Sequence, residues 1–450
     1  MASTFLSTTL GTPTSSRIWT FSTWLKRSGL SSGQHIFSID NGSQRDAFSF
    51  DSDDGLRLYF NGSATGYADL STNRLLRDTS AFYHLVIAVD TTQATAANRV
   101  KLYINGTQYT WDETTVYGDQ NYDTFNASGN TFRIGRDRTA TAYFDGILAH
   151  THFIDGTQYA ASTFGETDST SGIWKPKTAP SVTYGNNGFF LKFENSGNLD
   201  LDSSGNSRSF TTSGTLTQNV DTPSKNYNTL NPVIYSTTGV TLAHGNTSFN
   251  SGSGVQYGFA IPSFALNKGR WYFEAKIGHT CAGLFIGDTH QVVDAVRNST
   301  RIGVGSQQYS WECNGNFQNN NSQTSYGSTA AANDIIGMFV DLEDNKLYIA
   351  VNGTIQNSGT GFSITDPNST ETGFYYVGGI ADQCSATANV TAEMNYGGGK
   401  FGVTAISSAQ ADANGEGIFE YSPNQGGASN FDSAAKNFYA LNTKNIKEFG

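Results

Sequence analysis

From Ile18 to Leu25 the chain reads Ile-Trp-Thr-Phe-Ser-Thr-Trp-Leu, so an extended backbone puts Trp19, Phe21, Thr23 and Leu25 on one side and Thr20, Ser22 and Trp24 on the other. A period of two is the repeat of a β-strand. Runs of the same kind, each closed by Asp, Asn, Gly or Ser, follow at His35–Ile39, Ala47–Phe50, Leu56–Phe60, Thr131–Gly135, Tyr143–Ala149 and His152–Gly156. Short strands with turn signals every ten or so residues predict a sandwich or barrel. One hairpin is spelled twice: Lys101-Leu-Tyr-Ile-Asn-Gly-Thr-Gln108 recurs, slightly stretched, as Lys346-Leu-Tyr-Ile-Ala-Val-Asn-Gly-Thr-Ile-Gln356. Asn-Gly tolerates the positive φ of a tight hairpin turn. Each copy follows a nearly unbroken apolar strand, Tyr83–Asp90 in one and Asp334–Asp341 in the other. The expected fold is all-β: two tandem antiparallel β-sandwiches.

Between them the pattern loosens. Lys175-Pro-Lys-Thr-Ala-Pro180 is a stiff stop, Gly188–Phe193 reads as one more strand, and Asn195–Pro232 is mostly Ser, Asn, Thr, Gly and Asp. Strand runs resume at Arg270–Ile277, Ala282–Gly287, Arg301–Val304, Phe374–Gly378 and Ala388–Asn395, with a short helical turn expected at Gln291–Asn298. Near the end, Ala434, Ala435, Phe438 and Leu441 have the spacing of one helical face. The expected division is a first sandwich over 1–175, a long loop-rich connector with a possible extra strand over 176–230, a second sandwich over 231–402, and a docking segment over 403–450.

Composition sharpens this picture. A chain of 450 residues exceeds one ordinary core. Its 49 Gly and only 14% charged residues fit many polar turns, while 30 Phe and 22 Tyr supply the apolar surface that a disordered chain lacks. A net charge of −11 with no basic run argues against nucleic acid and against an anionic membrane surface. No apolar stretch approaches the roughly 20 residues of a membrane-spanning helix. The start, Met1-Ala-Ser-Thr-Phe-Leu-Ser7, lacks the basic and apolar regions of a secretory signal, so synthesis in a cytoplasm, or an already mature chain, is expected. Cys281, Cys313 and Cys384 are odd in number and widely spaced, which reads as buried free thiols rather than a disulfide framework or a zinc site.

Four groups of residues carry candidate chemistry. Tyr309, Trp311, Phe317 and Tyr326 interleave with amides and hydroxyls across Gln307–Tyr326, a mixture suited to sugars or protein partners. The opposing reading has Trp311 plugging the sandwich beside a long loop. Asp51, Asp53 and Asp54 offer hard oxygen ligands for Ca²⁺, against a plain Asp-Gly hairpin turn. His150 and His152 place two imidazoles on one strand face without an evident third ligand, so a surface or interface pair is expected. Glycoside hydrolysis needs two carboxylates about 5–10 Å apart across a groove. Asp341-Leu-Glu343-Asp344 comes nearest, at what reads as a solvated turn, and Glu312 and Asp341 are the carboxylates to test. No nucleophile setting is evident, so no catalytic residue is expected.

These residues also carry resemblances. Trp19 to Trp24, Tyr83-His84-Leu85-Val86, Leu102-Tyr-Ile-Asn-Gly106, and Phe144-Asp-Gly146 with Phe153-Ile-Asp-Gly156 resemble the laminin-G-like, concanavalin A-like lectin jelly roll. Lys268-Gly-Arg-Trp-Tyr-Phe-Glu274, Ile302-Gly-Val304, Asp334-Ile-Ile-Gly337 with Asp341, and Asn352-Gly353 look like a SPRY domain. The tandem, with Asp221-Thr-Pro223 and Thr229-Leu-Asn-Pro232 between the halves and Tyr421-Ser-Pro423 and Ala440-Leu-Asn-Thr443 near the end, is similar to virion proteins of tailed marine and cyanobacterial phages. That resemblance implies a non-enzymatic tail fibre or receptor-binding adhesin on the tail or capsid surface, recognising host surface glycan or protein. The alternatives are a capsid or tail decoration protein whose sandwiches mediate subunit contacts, and a polysaccharide depolymerase. It further implies other virion proteins as partners and a homo-oligomer, with a trimer favoured.

Overall fold

The computed structural model describes residues 4–61, 67–112, 116–169, 172–235, 239–384, 389–424 and 430–450. The chain divides into two units, 1–224 and 225–450. Each is a stack of antiparallel sheets, and the fold is all-β.

In the first unit a seven-stranded sheet runs in the order Thr211–Ser213, Phe5–Thr9, Thr131–Ile134, Gln34–Asp40, Arg45–Phe50, Gly55–Asn61 and Tyr67–Leu75. It faces a six-stranded sheet ordered Phe189–Leu191, Gly146–Asp155, Ile18–Arg27, Tyr83–Asp90, Val100–Ile104 and Thr107–Tyr109. Alternation explains the stacking: Trp19, Phe21 and Leu25 from one sheet and Phe37, Phe48, Leu58 and Phe132 from the other are wholly buried in a common core. Phe132 sits 5.4 Å from Phe37, 5.0 Å from Phe153 and 5.2 Å from Phe189, the last two edge to face. Each such side chain contributes about 1.5–3 kcal/mol of burial. Residues 176–224 build into this unit: Phe189–Leu191 and Thr211–Ser213 each add an edge strand, and the Lys26 ammonium meets Asp221 at 3.0 Å with both side chains buried.

The six-stranded sheet is buried on its second face as well. Trp24 stacks on His84 at 4.6 Å, the His84 Nε2 pairs with the Ser22 hydroxyl at 2.9 Å, and the Trp174 indole N–H donates to His84 Nδ1 at 3.0 Å. Phe164 and Ala161 cover Val86 and Ile154 beside them.

In the second unit the Arg270–Ile277 strand lies between Thr391–Asn395 and Ile335–Asp341 in a nine-stranded sheet. Trp271, Phe273, Ala275 and Ile277 face the core shared with an eight-stranded sheet. Tyr272 and Glu274 face the other way, and residues 418–424 and 430–440 cover them. Phe419 packs 5.0 Å from Tyr272, Phe431 and Phe438 pack 4.9 and 5.1 Å from Phe339, and Tyr439–Ala440 pairs parallel with Trp271–Tyr272. Glu274 anchors this strap: Oε1 accepts from the Tyr272 hydroxyl and the Tyr421 N–H, Oε2 from the Asn395 amide and the Glu420 N–H. Burial pushes its carboxyl up to about 7.

Two helical expectations meet different outcomes. The turn near Gln291–Asn298 is an α-helix, Thr289–Asn298, capped by the Asp288 carboxylate. The face of Ala434, Ala435, Phe438 and Leu441 is not helical. Pairing of Tyr439–Ala440 with the sheet holds that segment extended, and the helix begins only after the Asn442 cap, at Thr443–Phe449. Of the strand expected at Ala388–Asn395, Thr391–Asn395 is present, and Ala388 lies outside the described residues.

The cysteine expectation is corrected. Cys281 and Cys384 form a disulfide, with Cα atoms 5.4 Å apart, and only Cys313 is free and buried. Spacing along the chain hid this because register supplies the proximity: Ala282 pairs with Asp382, so the residues just beyond that rung meet. The bond closes a separation of 103 residues. Cys384→Ser is expected to lower the stability of the second sandwich by about 2–3 kcal/mol. Urea unfolding with and without reductant checks it, since the variant should no longer respond to reductant.

Candidate functional site

The strands Gln308–Glu312, Asn316–Asn319 and Ser322–Ser325 end the eight-stranded sheet, with Trp311 opposite Phe317 and Gln318 opposite Gln323. Because one face of this sheet meets the core, alternation sends the aromatics of the segment inward. Tyr309, Trp311, Phe317 and Tyr326 are at most 4% exposed. Phe317 stacks on Phe362 at 4.3 Å and meets the edge of Tyr326 at 4.8 Å; the Tyr309 hydroxyl donates to Thr365 Oγ1, and that of Tyr326 to the Leu347 carbonyl. The expectation that these four rings contact ligand is therefore corrected. They are core residues with no face left for a sugar.

The polar half of the same alternation faces outward. Gln308 accepts the Gly303 and Gly305 N–H groups, and Gln383 donates to the Ser310 hydroxyl at 2.8 Å and to the Ile302 carbonyl, so the 302–305 loop is held over the inner part of this face. Gly303, at φ +96°, leaves no room for a Cβ, which would meet the Gln318 side chain. At the rim, Glu312 Oε2 accepts from the Asn314 and Gln323 amides, both at 3.0 Å. Its Oε1 accepts no hydrogen bond. Burial raises the Glu312 pKa, opposed by Arg301 and the two amides. Asn314, Gln323 and the whole Ser322–Ser325 edge are exposed. A carboxylate set among fixed amides can accept and donate hydrogen bonds to hydroxyls, and the free strand edge offers backbone groups to an extended partner. Sequence reasoning chose the aromatics of this segment, which the structure buries; the exposed groups are the amides and hydroxyls between them.

The other candidates resolve into structural roles. Asp51–Asp54 is a hairpin turn between Arg45–Phe50 and Gly55–Asn61, with Asp53 Oδ1 accepting the Gly55 N–H at 2.9 Å. The Asp54 side chain is fully buried, bound by Arg27 and Arg77 at 2.9 Å each, and accepts the Ser31 N–H at 2.7 Å. Burial works to raise its pKa, but the Ser31 N–H and the two guanidinium groups outweigh that and hold it below the usual value. Its oxygens are committed to cations the protein supplies, so the Ca²⁺ reading of Asp51, Asp53 and Asp54 is corrected.

His150 and His152 straddle a β-bulge, with His150 at φ +47°. His152 is buried, stacks on Phe190 at 3.9 Å and pairs with the Tyr184 hydroxyl at 3.0 Å, and burial drives its pKa well below the usual value. This is an aromatic layer inside the first sandwich rather than a surface pair. Among the described residues, no group of three or more His, Cys, Asp or Glu is placed to hold a metal ion. Asp341 lies at the expected turn, yet it is buried rather than solvated: Oδ2 pairs with Arg270 and Lys436, and Oδ1 accepts the Glu343 and Asp344 N–H groups.

Comparison with known families places both sandwiches. Residues 3–161 match the Laminin_G_3 model, described as the concanavalin A-like lectin/glucanases superfamily, and residues 270–397 match the SPRY domain. Similar solved structures include the SPRY domain of human HERC1, at 13% identity, 37% of this chain, 96% of that chain and TM-score 0.29. The native heptameric SAP-like pentraxin from Limulus polyphemus gives 19%, 35%, 71% and 0.26. Stonustoxin gives 15%, 37%, 27% and 0.29, so the chain spans about a quarter of the stonustoxin chain. No curated protein matches.

Proposed function

We propose that this protein is a non-enzymatic adhesin of a tailed-phage virion, a tail fibre or receptor-binding protein that recognises host surface glycan or protein. Support comes from two domains of binding type in one chain and from the phage-like tandem of short motifs around them. The observation that carries the recognition role is the amide-lined rim at Glu312, set on a rigid sheet and open along Ser322–Ser325. Of the two carboxylates a depolymerase reading would use, Asp341 is buried and neutralised by Arg270 and Lys436, which leaves Glu312 without a carboxylate partner for acid–base work. In a virion, other virion proteins are the neighbours and a homotrimer is the expected assembly.

Labelled full-length protein should bind intact host cells. The Glu312→Ala/Gln323→Ala double variant should bind at least about tenfold more weakly at an unchanged melting temperature, the effect of about 1.4 kcal/mol of lost hydrogen bonding. A second reading, subunit decoration, is favoured by the free polar strand edge, which can pair with a neighbouring chain. An ordered array of this protein on purified heads, without cell binding, would decide for it.

A further inference from the structure

The outer face of the seven-stranded sheet runs against the charge of the whole chain. Strand register places Arg133 beside Ser38 and Ala47, Arg45 opposite Asp40, and Arg57 opposite Ser49. The loop after Thr131–Ile134 brings Arg136 and Arg138 over the same face, where the Ser38 hydroxyl donates to the Arg136 carbonyl. In a protein of net charge −11, five guanidinium groups here share one surface. Three have carboxylate partners: Arg133 with Asp40, Arg45 with Asp137 at 3.7 Å, and Arg57 with both oxygens of Asp69. Arg136 and Arg138 have none among the described residues. Arg136 lies 3.8 Å over the Phe5 ring and donates to the Tyr143 hydroxyl; Arg138 donates to the Gly42 carbonyl.

The cluster is crowded with like charge. The buried Nε atoms of Arg45, Arg136 and Arg138 have no hydrogen-bond partner. Burial depresses the Arg133 pKa, and Arg136 and Arg138 depress it further against Asp137. Burial also depresses His35, with Arg45 and Arg57 adding to it and Asp137 opposing. Beside the arginines stand tyrosine rings: Tyr59, with Arg57 at 5.4 Å and Tyr67 edge-on at 5.4 Å, and on the other flank Tyr143. Guanidinium groups match carboxylate and sulfate oxygens, and ring faces match the C–H side of a sugar.

We propose that this arginine ledge of the first sandwich binds an acidic polysaccharide, one bearing uronate carboxylates or sulfate groups. The inference rests on the adhesin reading and names the glycan class that reading leaves open. An anion lying across Arg136 and Arg138 meets the donors that have no internal carboxylate, while Arg45, Arg57 and Arg133 beside them are already compensated by Asp137, Asp69 and Asp40.

The test titrates the full chain with an oligogalacturonate and a heparin oligosaccharide, with neutral dextran and a single-stranded oligonucleotide of matched charge as controls. Binding to one or both acidic glycans, weakening as salt rises and absent for dextran, is expected. Which of the two binds more tightly separates carboxylate from sulfate recognition. Arg136→Ala/Arg138→Ala should weaken binding at least tenfold, and Arg136→Lys/Arg138→Lys, which keeps the charge and guards against a folding defect, should retain most of it. Absence of binding to both acidic glycans, equal or tighter binding of the oligonucleotide, or indifference to the alanine pair overturns the proposal. Host-cell binding that survives the alanine pair leaves the adhesin reading standing without this site. Acidic-glycan binding without cell binding leaves the site standing without the adhesin reading.

Discussion

Replacement of Asp54 by Ala is expected to destabilise the first sandwich by about 3–5 kcal/mol, the range for removing one partner of a buried ion pair. Both side chains of the Arg27–Asp54 pair are 0% exposed. Arg27 would keep only the Leu76 carbonyl at 2.7 Å and the Phe50 ring at 4.0 Å, neither of which neutralises a buried cation. Arg77 and the Ser31 N–H would lose their acceptor as well. Asp54 also sits at φ +75°, which Asp and Asn tolerate better than Ala does. Asp54→Asn, which keeps the shape and the backbone preference, should therefore cost less. Pairing it with Arg27→Met should recover part of the loss, because replacing both partners leaves no orphaned charge. Urea midpoints of the four proteins check the ordering; equal midpoints for Asp54→Ala and the parent would show that the pair contributes nothing.

The first sandwich is further expected to lose about 2 kcal/mol of stability between pH 6.5 and pH 8. Asp46 is buried, its Oδ2 accepts the Phe125 N–H at 2.8 Å, and burial, opposed by Phe125, Tyr122 and Asn61, pushes its pKa up to about 8. In the unfolded chain it ionises near 4. Over that interval the folded state holds one more proton, so stability falls as pH rises and levels off above 8. The buried imidazoles act in the opposite sense: His84 is pushed down to about 3, and His152 well below its usual value, both by burial. Unfolded histidine takes up protons below about 6.5 while these stay neutral, so stability also falls toward acid. Above pH 6.5 the Asp46 contribution dominates. Asp46→Asn should flatten the alkaline limb and steepen the acid limb, because Asp46 opposes the histidines down to about pH 4, read from hydrogen exchange of peptides within Gln34–Asn61 along a urea series. An unchanged alkaline slope in the variant would rule Asp46 out as its source.

The strands were legible because period two is written directly into runs such as Ile18–Leu25 and Arg270–Ile277, and turn residues bound them. The short motifs likewise pointed to both domain types. What alternation alone does not say is what lies against each face. Trp24 and His152 read as outward-facing, and Ala161, Phe164, Trp174 and Tyr184, from otherwise polar-looking surroundings, seal that side. Trp311 and its neighbours showed aromatics and amides in turn, which fits a ligand platform and a core strand equally until the second sheet is in place. Asp54 looked like a metal ligand because its two arginine partners, one 27 residues before it and the other well beyond the turn, leave no local mark. Cys281 and Cys384 failed for a similar reason: strand register joins them, and spacing does not encode register. The arginine ledge was hidden because its members are scattered singly over three strands and a loop.

The strap over Tyr272 and Phe339 has a consequence for the order of synthesis. The strand that carries Tyr272 is made roughly 160 residues before Phe431 and Phe438 exist to cover it, which at about 5–20 residues per second is on the order of 8–30 s. Through that interval a nascent second sandwich exposes a wet aromatic surface, a natural place for chaperone engagement. The first sandwich waits in a similar way, because Trp174, which donates to His84 beside Trp24, is made 150 residues after Trp24.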